Sequence, residues 1–374
     1  MKAIHLADLH LGKIVNGFPM IADQRAVLAQ VVQYADTHRP DCVFIAGDVY
    51  DKPVPSAEAV ALLDDFLVQL AHRVPHTFVI SGNHDSAERI AFGGRLMARC
   101  GVHLAPVYGG RVAPIPVPDA HGAVNVYMLP FVKPVQVRQL CDPAVETYSD
   151  AVRAAVAQMQ PDPAARNVLI THQFVAGAQC SDSEEVSVGG TDAVDAALLA
   201  GFDYVALGHL HRPQAVGRDT VRYAGSPLCY SFSEAPYPKS IPLVELGAKG
   251  DCRVTLLPLT PPHPMTELRG TYMKLMDTHF YEHTTYRTDY THITLTDEED
   301  IPEAIGRLRT VYANLMKLDY DNRRTRALGV DVDAPQPGRS PAELFAELYT
   351  AQNNQPLTDA QRAYLDAQIA QIWG

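Results

Sequence analysis

A chain of 374 residues with 47% hydrophobic and 20% charged residues has an ordinary globular composition, which excludes a disordered or fibrous protein and allows one large domain plus one or two small ones. The formal net charge of −12 argues against binding nucleic acid through the overall field; if DNA is the substrate, local patches, metals or a partner must offset it. No apolar run approaches the roughly 20 residues of a membrane span. Residues 3–7 run directly into Asp8 and leave no room for a signal peptide, and the six cysteines form no C-x-x-C pair, so a cytoplasmic protein with reduced, mostly buried thiols is expected.

Along the chain, residues 3–7, 42–46 and 77–80 are short apolar runs rich in β-branched residues, each ending at a Gly- or Asp-containing loop, and read as buried strands. Between them, residues 21–38 and 56–72 carry apolar side chains at helical spacing, with Ser56 as a cap. Residues 112–117 and 124–129 read as strands with no long helix between them, so this part of a sheet departs from simple βαβ winding. Residues 145–159 read as a helix, and 168–170 and 204–207 as strands that each deliver histidines at their C-terminal ends; 222–224, 241–246 and 253–257 continue in β pattern. Four prolines in residues 258–264 mark a boundary.

Beyond it, residues 272–281, 291–296, 302–311 and 315–320 read as helix, strand, helix and strand of a small α+β domain, followed by an aperiodic linker over 326–339. Two helices close the chain. Ser340 with Glu343 and Thr358 with Gln361 satisfy the capping-box spacing, and the helices carry Leu344, Phe345, Leu348, Tyr349, Tyr364, Leu365, Ile369, Ile372 and Trp373. A helix pair this short is marginal alone, so it either docks on its own protein or serves as a partner-binding hairpin.

Five islands carry the chemistry: Asp8-Leu9-His10, Gly47-Asp48, Gly82-Asn83-His84-Asp85, Thr171-His172 and Gly208-His209-Leu210-His211. Each follows or ends an apolar run, which gathers carboxylate, amide and imidazole donors at one sheet edge. Divalent ions such as Mn²⁺ take those donors, and a pair of ions can clamp both attacking and leaving oxygens of an in-line phosphoryl displacement. Residues two apart in Asp8/His10 and His209/His211 can point the same way from an extended segment. Glycines 47, 82 and 208 are expected to let the backbone turn sharply beside the ligands. Any one island alone says little; the ordered set is what points to a two-metal phosphoesterase.

The set resembles the calcineurin-like metallophosphoesterase superfamily, whose pattern D-x-H, GD-x-x-D, GNH-D/E, H and GH-x-H is matched across residues 8–211. Residues 82–90 (GNHDSAERI), 203–214 (DYVALGHLHRPQ), 224–235 (AGSPLCYSFSEA) and 239–246 (KSIPLVEL) are further similar to the SbcD family of bacterial nucleases, over essentially the whole chain. The resemblance implies an α/β (α+β) fold: a four-layer αββα sandwich of two mixed sheets flanked by helices over residues 1–262, a small α+β capping domain that contacts DNA over 263–325, the linker 326–339, and a helical hairpin over 340–374.

It also implies two Mn²⁺ ions, one held by Asp8, His10, Asp48 and His211 and the other by Asp48, Asn83, His172 and His209. Asp48 would bridge them, each of its oxygens meeting one cation, and a metal-held hydroxide would be the nucleophile. His84 is expected to stabilise charge and protonate the leaving oxygen, oriented by Asp85. Related archaeal and eukaryotic nucleases carry a second histidine where this chain has Asp51. Asp51 is left with three readings: orienting a ligand, orienting His84, or capping the next helix.

The most basic stretch, Arg307, Arg309, Lys317, Arg323, Arg324 and Arg326, is either a solvated charge run or a contact to the DNA backbone, with Arg323, Arg324 and Arg326 the candidates. No Walker motif occurs, so ATP dependence must come from another polypeptide. The resemblance implies an SMC-like ATPase of the SbcC type, bound through the terminal helices, and a homodimer within a heterotetramer. The leading expectation is a Mn²⁺-dependent nuclease acting as a 3′→5′ exonuclease on double-stranded DNA and an endonuclease on hairpins or blocked ends, in repair, recombination and replication. A phosphoesterase of other substrates leaves the last ~110 residues unexplained, and a metal-free scaffold is disfavoured by the intact ligand set.

Overall fold

The computed structural model describes residues 1–182, 184, 193–323, 325, 340–353 and 356–373, which fall into two compact units, Met1–Pro264 and Met265–Gly374.

In the first unit the apolar runs pair into two six-stranded mixed sheets. One has the order Cys252–Pro258, Ser240–Leu246, Lys2–Leu6, Cys42–Ala46, His76–Ile80, Val102–Leu104. Its last four strands are mutually parallel and its first two antiparallel. The other has the order Gln214–Val216, Arg218–Tyr223, Tyr204–Gly208, Arg166–His172, Gly122–Leu129, Ile115–Asp119, four parallel strands between two antiparallel edges. Side chains alternate with period two. Val126, Met128, Val168, Ile170 and Ala206 join Phe44, Phe78 and Ile80 of the facing sheet in a shared core. Their neighbours Tyr127, Leu129, Leu169, Val205 and Leu207 face the other way, against Val137 and Ala151 of helices Pro134–Leu140 and Tyr148–Met159. Each large side chain so buried stabilises the fold by about 1.5–3 kcal/mol.

Helices Ile21–His38 and Ala57–Ala71 pack on one another, burying Val27, Val31, Leu62 and Phe66, and the second packs on strand His76–Ile80. The layers are thus helix, sheet, sheet, helix. Ser56 caps as its position suggested, its hydroxyl accepting from the Ala59 amide at 3.2 Å. The helix expected from residue 145 starts at Tyr148, because Thr147 and Asp150 close a capping box around it. Helix Pro134–Leu140 has no counterpart among the expected elements, because its 7 residues are too few to show an apolar period. The thiols are less buried than expected: all six are free, but only Cys42 is buried, while Cys100 and Cys180 are exposed.

The second unit opens with a strand, Met265–Gly270, that the sequence reading did not include. It pairs in parallel with Tyr290–Leu295, which pairs in parallel with Leu315–Tyr320. Leu268, Ile293, Leu295, Leu308, Tyr312 and Leu315 form its core. The helix expected over 272–281 is two short ones, Tyr272–Leu275 and Thr278–Tyr281, because Asp277 ends one turn and caps the next through the His279 amide at 3.0 Å. The terminal helices are Pro341–Asn353 and Asp359–Trp373, each opened by its capping box: Ser340 with Glu343, and Thr358 with Gln361. The expected linker 326–339 and the side chains of Ile372 and Trp373 lie outside the described residues. Among the described residues no helix is long and apolar enough to cross a membrane.

Candidate metal centre

All five islands stand at C-terminal ends of parallel strands. Leu6 leads to Asp8 and His10, Ala46 to Asp48, Ile80 to Asn83 and His84, and Gly208 to His209 and His211, while His172 closes its own strand. Four of these residues hold left-handed backbone, with φ of 54° at Asp8, 44° at His10, 48° at Asp48 and 105° at His209. Such conformations cost of order 1–3 kcal/mol each and persist where the surroundings over-determine them, typically at functional sites.

Two of the three glycines act otherwise than expected. Of the three, only Gly47 has a positive φ, 86°. At Gly82 a Cβ would run into the Asp48 carboxylate, and at Gly208 into the Ala46 carbonyl and the His172 ring. Close approach, not turning, excludes side chains at those two positions.

The donors converge. His10 Nε2 and His211 Nε2 lie 3.1 Å apart. Asp48 Oδ2 is 3.3 Å from His172 Nε2, 3.7 Å from His10 Nε2 and 3.9 Å from His84 Nε2. The Asn83 carbonyl oxygen is 2.9 Å from His172 Nε2 and 3.1 Å from His209 Nδ1. Three groups have the spacing to hold a cation: Asp8, His10 and His211; Asp8, Asp48 and His172; and His10, Asp48 and the partly exposed His84. Donor atoms about 3 Å apart have the spacing of neighbouring ligands about 2.1 Å from one ion. Asp8 Oδ2 is buried with no hydrogen-bond partner, so a cation would satisfy an oxygen that the protein does not. His172 offers its Nδ1–H to the Ala46 carbonyl at 2.8 Å, which leaves its Nε2 lone pair for a ligand bond. The residues fit divalent cations.

Burial is the largest influence on protonation here. It raises the Asp8 carboxyl to about 7. At Asp48 it is outweighed by His172, His10 and His84, which hold the carboxyl well below the usual carboxylate range. At His172 the attraction of Asp48 and Asp8 overcomes burial and lifts the imidazole to about 9. Burial pushes His10 well below the ordinary histidine value. The carboxylates thus draw protons onto His172, and a cation must compete with them.

His84 sits beside this cluster, its ring edge-on to His10 at 4.9 Å. Its ring is anchored by the Asp51 carbonyl, 3.2 Å from Nδ1, and not by Asp85. Asp85 instead accepts from three backbone amides, Val49 at 3.0 Å and Tyr50 and Gly82 at 2.9 Å, and so ties the Asp48 loop to the Asn83 loop. Asp51 turns its carboxylate to Lys13 at 2.7 Å, with His10 Nδ1 at 3.7 Å. Of the basic candidates, Arg323 is exposed with Glu298 4.0 Å away, and Arg324 and Arg326 lie outside the described residues.

Gln24, Tyr230, Glu234 and Lys239 were not singled out from sequence. Gln24 donates to the His10 carbonyl at 2.7 Å and to the Tyr230 hydroxyl at 3.0 Å. Glu234 meets His211 Nδ1 at 3.2 Å. A Gln on an amphipathic helix carries no signal of burial; Glu234 and Lys239 do stand in the two segments that resemble the SbcD family.

Two sheets that face each other and point metal-type donors out of one edge define a phosphoesterase fold, and a calcineurin-like phosphoesterase family model matches residues 1–213. The chain belongs to that family and is a metal-dependent hydrolase. Its particular branch is that of the SbcD nucleases: it is 32% identical over 324 residues to the SbcD component of the nuclease SbcCD of Staphylococcus epidermidis, covering 85% of each chain. A family model described as the type 5 capsule protein repressor C-terminal domain matches residues 261–353. Among solved structures, a dimetal phosphatase from Danio rerio superposes with a TM-score of 0.43 at 14% identity, over 70% of this chain and 99% of that one.

Proposed function

We propose that this chain is a Mn²⁺-dependent DNA nuclease acting as a 3′→5′ exonuclease on double strands and an endonuclease on hairpins or blocked ends, in the cytoplasm, in DNA repair, recombination and replication. The observation that carries it is the meeting of His10, His84 and His172 from three further strand ends around Asp48 Oδ2, with His211 of the fifth strand joining through His10 Nε2. Asp8, His10, Asp48 and His211 would hold one cation, and Asp48, Asn83, His172 and His209 the other. Asp48 stands in both sets and would be the residue they share; its Oδ1 accepts the His84 amide at 2.9 Å, which fixes the carboxylate. Bound cations supply Lewis-acid charge at the phosphate and lower the pKa of a water.

The chain's own residues do the rest. His84, anchored through Nδ1, presents Nε2 at the partly exposed rim of the cluster, where it donates to the phosphate and passes its proton to the leaving 3′ oxygen. Asp85 is a positioning residue, since it reaches the reacting groups only through the two loops it ties. Arg323, with Arg324 and Arg326, contributes backbone contacts from the capping domain over 263–325. The relative's name, which makes it one component of SbcCD, supports an SbcC-like ATPase as partner. The terminal helices over 340–374, exposing Phe345, Leu348 and Tyr364, are proposed as its binding hairpin in a heterotetramer with two copies of this chain.

The test is purified chain with Mn²⁺, linear duplex DNA and bis-p-nitrophenyl phosphate. Both substrates should be hydrolysed; ester hydrolysis with intact DNA, even after adding the ATPase, would overturn the nuclease reading. A chain ending at Arg339 should fail to co-purify with the ATPase.

A further inference from the structure

Glu234 and Lys239 form an ion pair where an ion pair does little for a fold. Glu234 is fully buried and Lys239 is 3% exposed. The Lys239 ammonium donates to Glu234 Oε2, to the Ser226 hydroxyl at 2.8 Å and to the His211 carbonyl at 3.2 Å. The other carboxylate oxygen, Oε1, accepts from the Tyr230 amide at 3.2 Å and faces His211 Nδ1 at 3.2 Å. Desolvating two such charges costs several kcal/mol each, and an apolar pair of similar volume is often as stable or more so.

What the pair does accomplish is to hold His211 at both ends, the ring through Nδ1 and the backbone through its carbonyl. With Nδ1–H donating to Glu234, the His211 Nε2 lone pair is aimed at the point it shares with His10 Nε2, 3.1 Å away. His172 Nδ1, in the other ligand set, hydrogen-bonds the neutral Ala46 carbonyl at 2.8 Å, and the nearest carboxylate oxygen to it, Asp8 Oδ1, is beyond hydrogen-bond distance at 3.9 Å. A carboxylate acceptor makes an imidazole a stronger donor than a carbonyl does.

We infer that the Glu234–Lys239 pair is a positioning device that makes the two cation positions unequal, strengthening the one held by Asp8, His10 and His211. The inference rests on the two-cation reading above. It is tested by titrating the metal-free full chain with Mn²⁺, following stoichiometry by calorimetry and the coupling between ions by electron paramagnetic resonance. The wild-type chain should take up two ions with a coupled spectrum. Glu234→Gln, nearly isosteric, should keep one ion at wild-type affinity, weaken the other about 10- to 100-fold, and show isolated-ion signals at intermediate Mn²⁺.

A double variant, E234L with K239M, removes both charges at similar volume. It should melt at or above the wild-type temperature yet still bind the second ion weakly, which a merely structural pair would not. Two wild-type affinities in Glu234→Gln, or in the double variant, would overturn the inference and leave the two-cation reading standing. Fewer than two ions in the wild type would overturn both.

Discussion

Histidines face carboxylates in both units of this protein, with opposite consequences. In the second unit His292 lies across strands between Glu267, 3.1 Å from Nδ1, and Asp319, 2.8 Å from Nε2. Both ring nitrogens meet acceptors, and both carboxylates are half-exposed to water. At the strand ends of the first unit, His172 and His211 each give one nitrogen to an acceptor behind the ring, and the other converges with buried donors. A histidine is thus made fit to bind a metal by having one nitrogen occupied and the other presented in a dry place. Carboxylate proximity alone does not achieve this.

The most severe way to break the comparison is at its shared residue. Asp48→Ala should abolish Mn²⁺ uptake and lower bis-p-nitrophenyl phosphate hydrolysis by at least about 10³-fold, as loss of several kcal/mol of charge stabilisation requires, with the second unit's fold unchanged by circular dichroism. His84→Ala should retain both ions in a binding titration while turnover falls about 10²- to 10⁴-fold; near-normal turnover would remove His84 from the mechanism. Ile293→Ala, in the core of the second unit, should cost about 2–5 kcal/mol in denaturant unfolding without changing ester hydrolysis.

A smaller effect follows from the protons. Asp8, raised to about 7, and His172, raised to about 9, both hold protons that a cation must expel. Mn²⁺ affinity measured calorimetrically should therefore climb with pH, more steeply below about pH 7, where both protons must leave, than between about 7 and 9, where one does. The sign for the metal-free fold is the reverse. The raised Asp8 value stabilises the fold below the unfolded carboxylate range and loses that contribution as pH rises toward 7; the raised His172 value is fully stabilising below about 6.5 and lost as pH rises through 9. Below about pH 6.5 the depressed His10 and Asp48 values act in the opposite sense, so the clear window is about pH 7 to 9, where chelator-treated protein should melt lower as pH increases and added Mn²⁺ should narrow the loss. The smallest effect is Arg323→Ala, which should reduce the salt slope of duplex binding by about one without altering ester hydrolysis.

Much of the first unit was legible because its strands are buried on both faces and its helices amphipathic: Ile21–His38 and Cys42–Ala46 carry their boundaries in their own residues. The strand Met265–Gly270 was not legible. Its alternation is short, and its pairing with Tyr290–Leu295 lies outside any local window. The ligand residues were legible because they follow apolar runs in a recognisable order. Asp85, placed beside His84 in sequence, turned out to serve the backbone of two loops, which spacing cannot reveal.

The sequence by itself therefore determined which donors reach the sheet edge and the kind of ion they suit, since strand ends and residue types are local properties. Tertiary structure alone decided that Asp48 Oδ1 accepts the His84 amide, that Ala46 and Glu234 meet Nδ1 of His172 and His211, and that Gly82 and Gly208 are kept bare for space. Each of those outcomes depends on atoms from segments tens to hundreds of residues apart: Gly82 and His84 reach Asp48 from the neighbouring strand of one sheet, and His172 and Gly208 reach Ala46 across the two facing sheets.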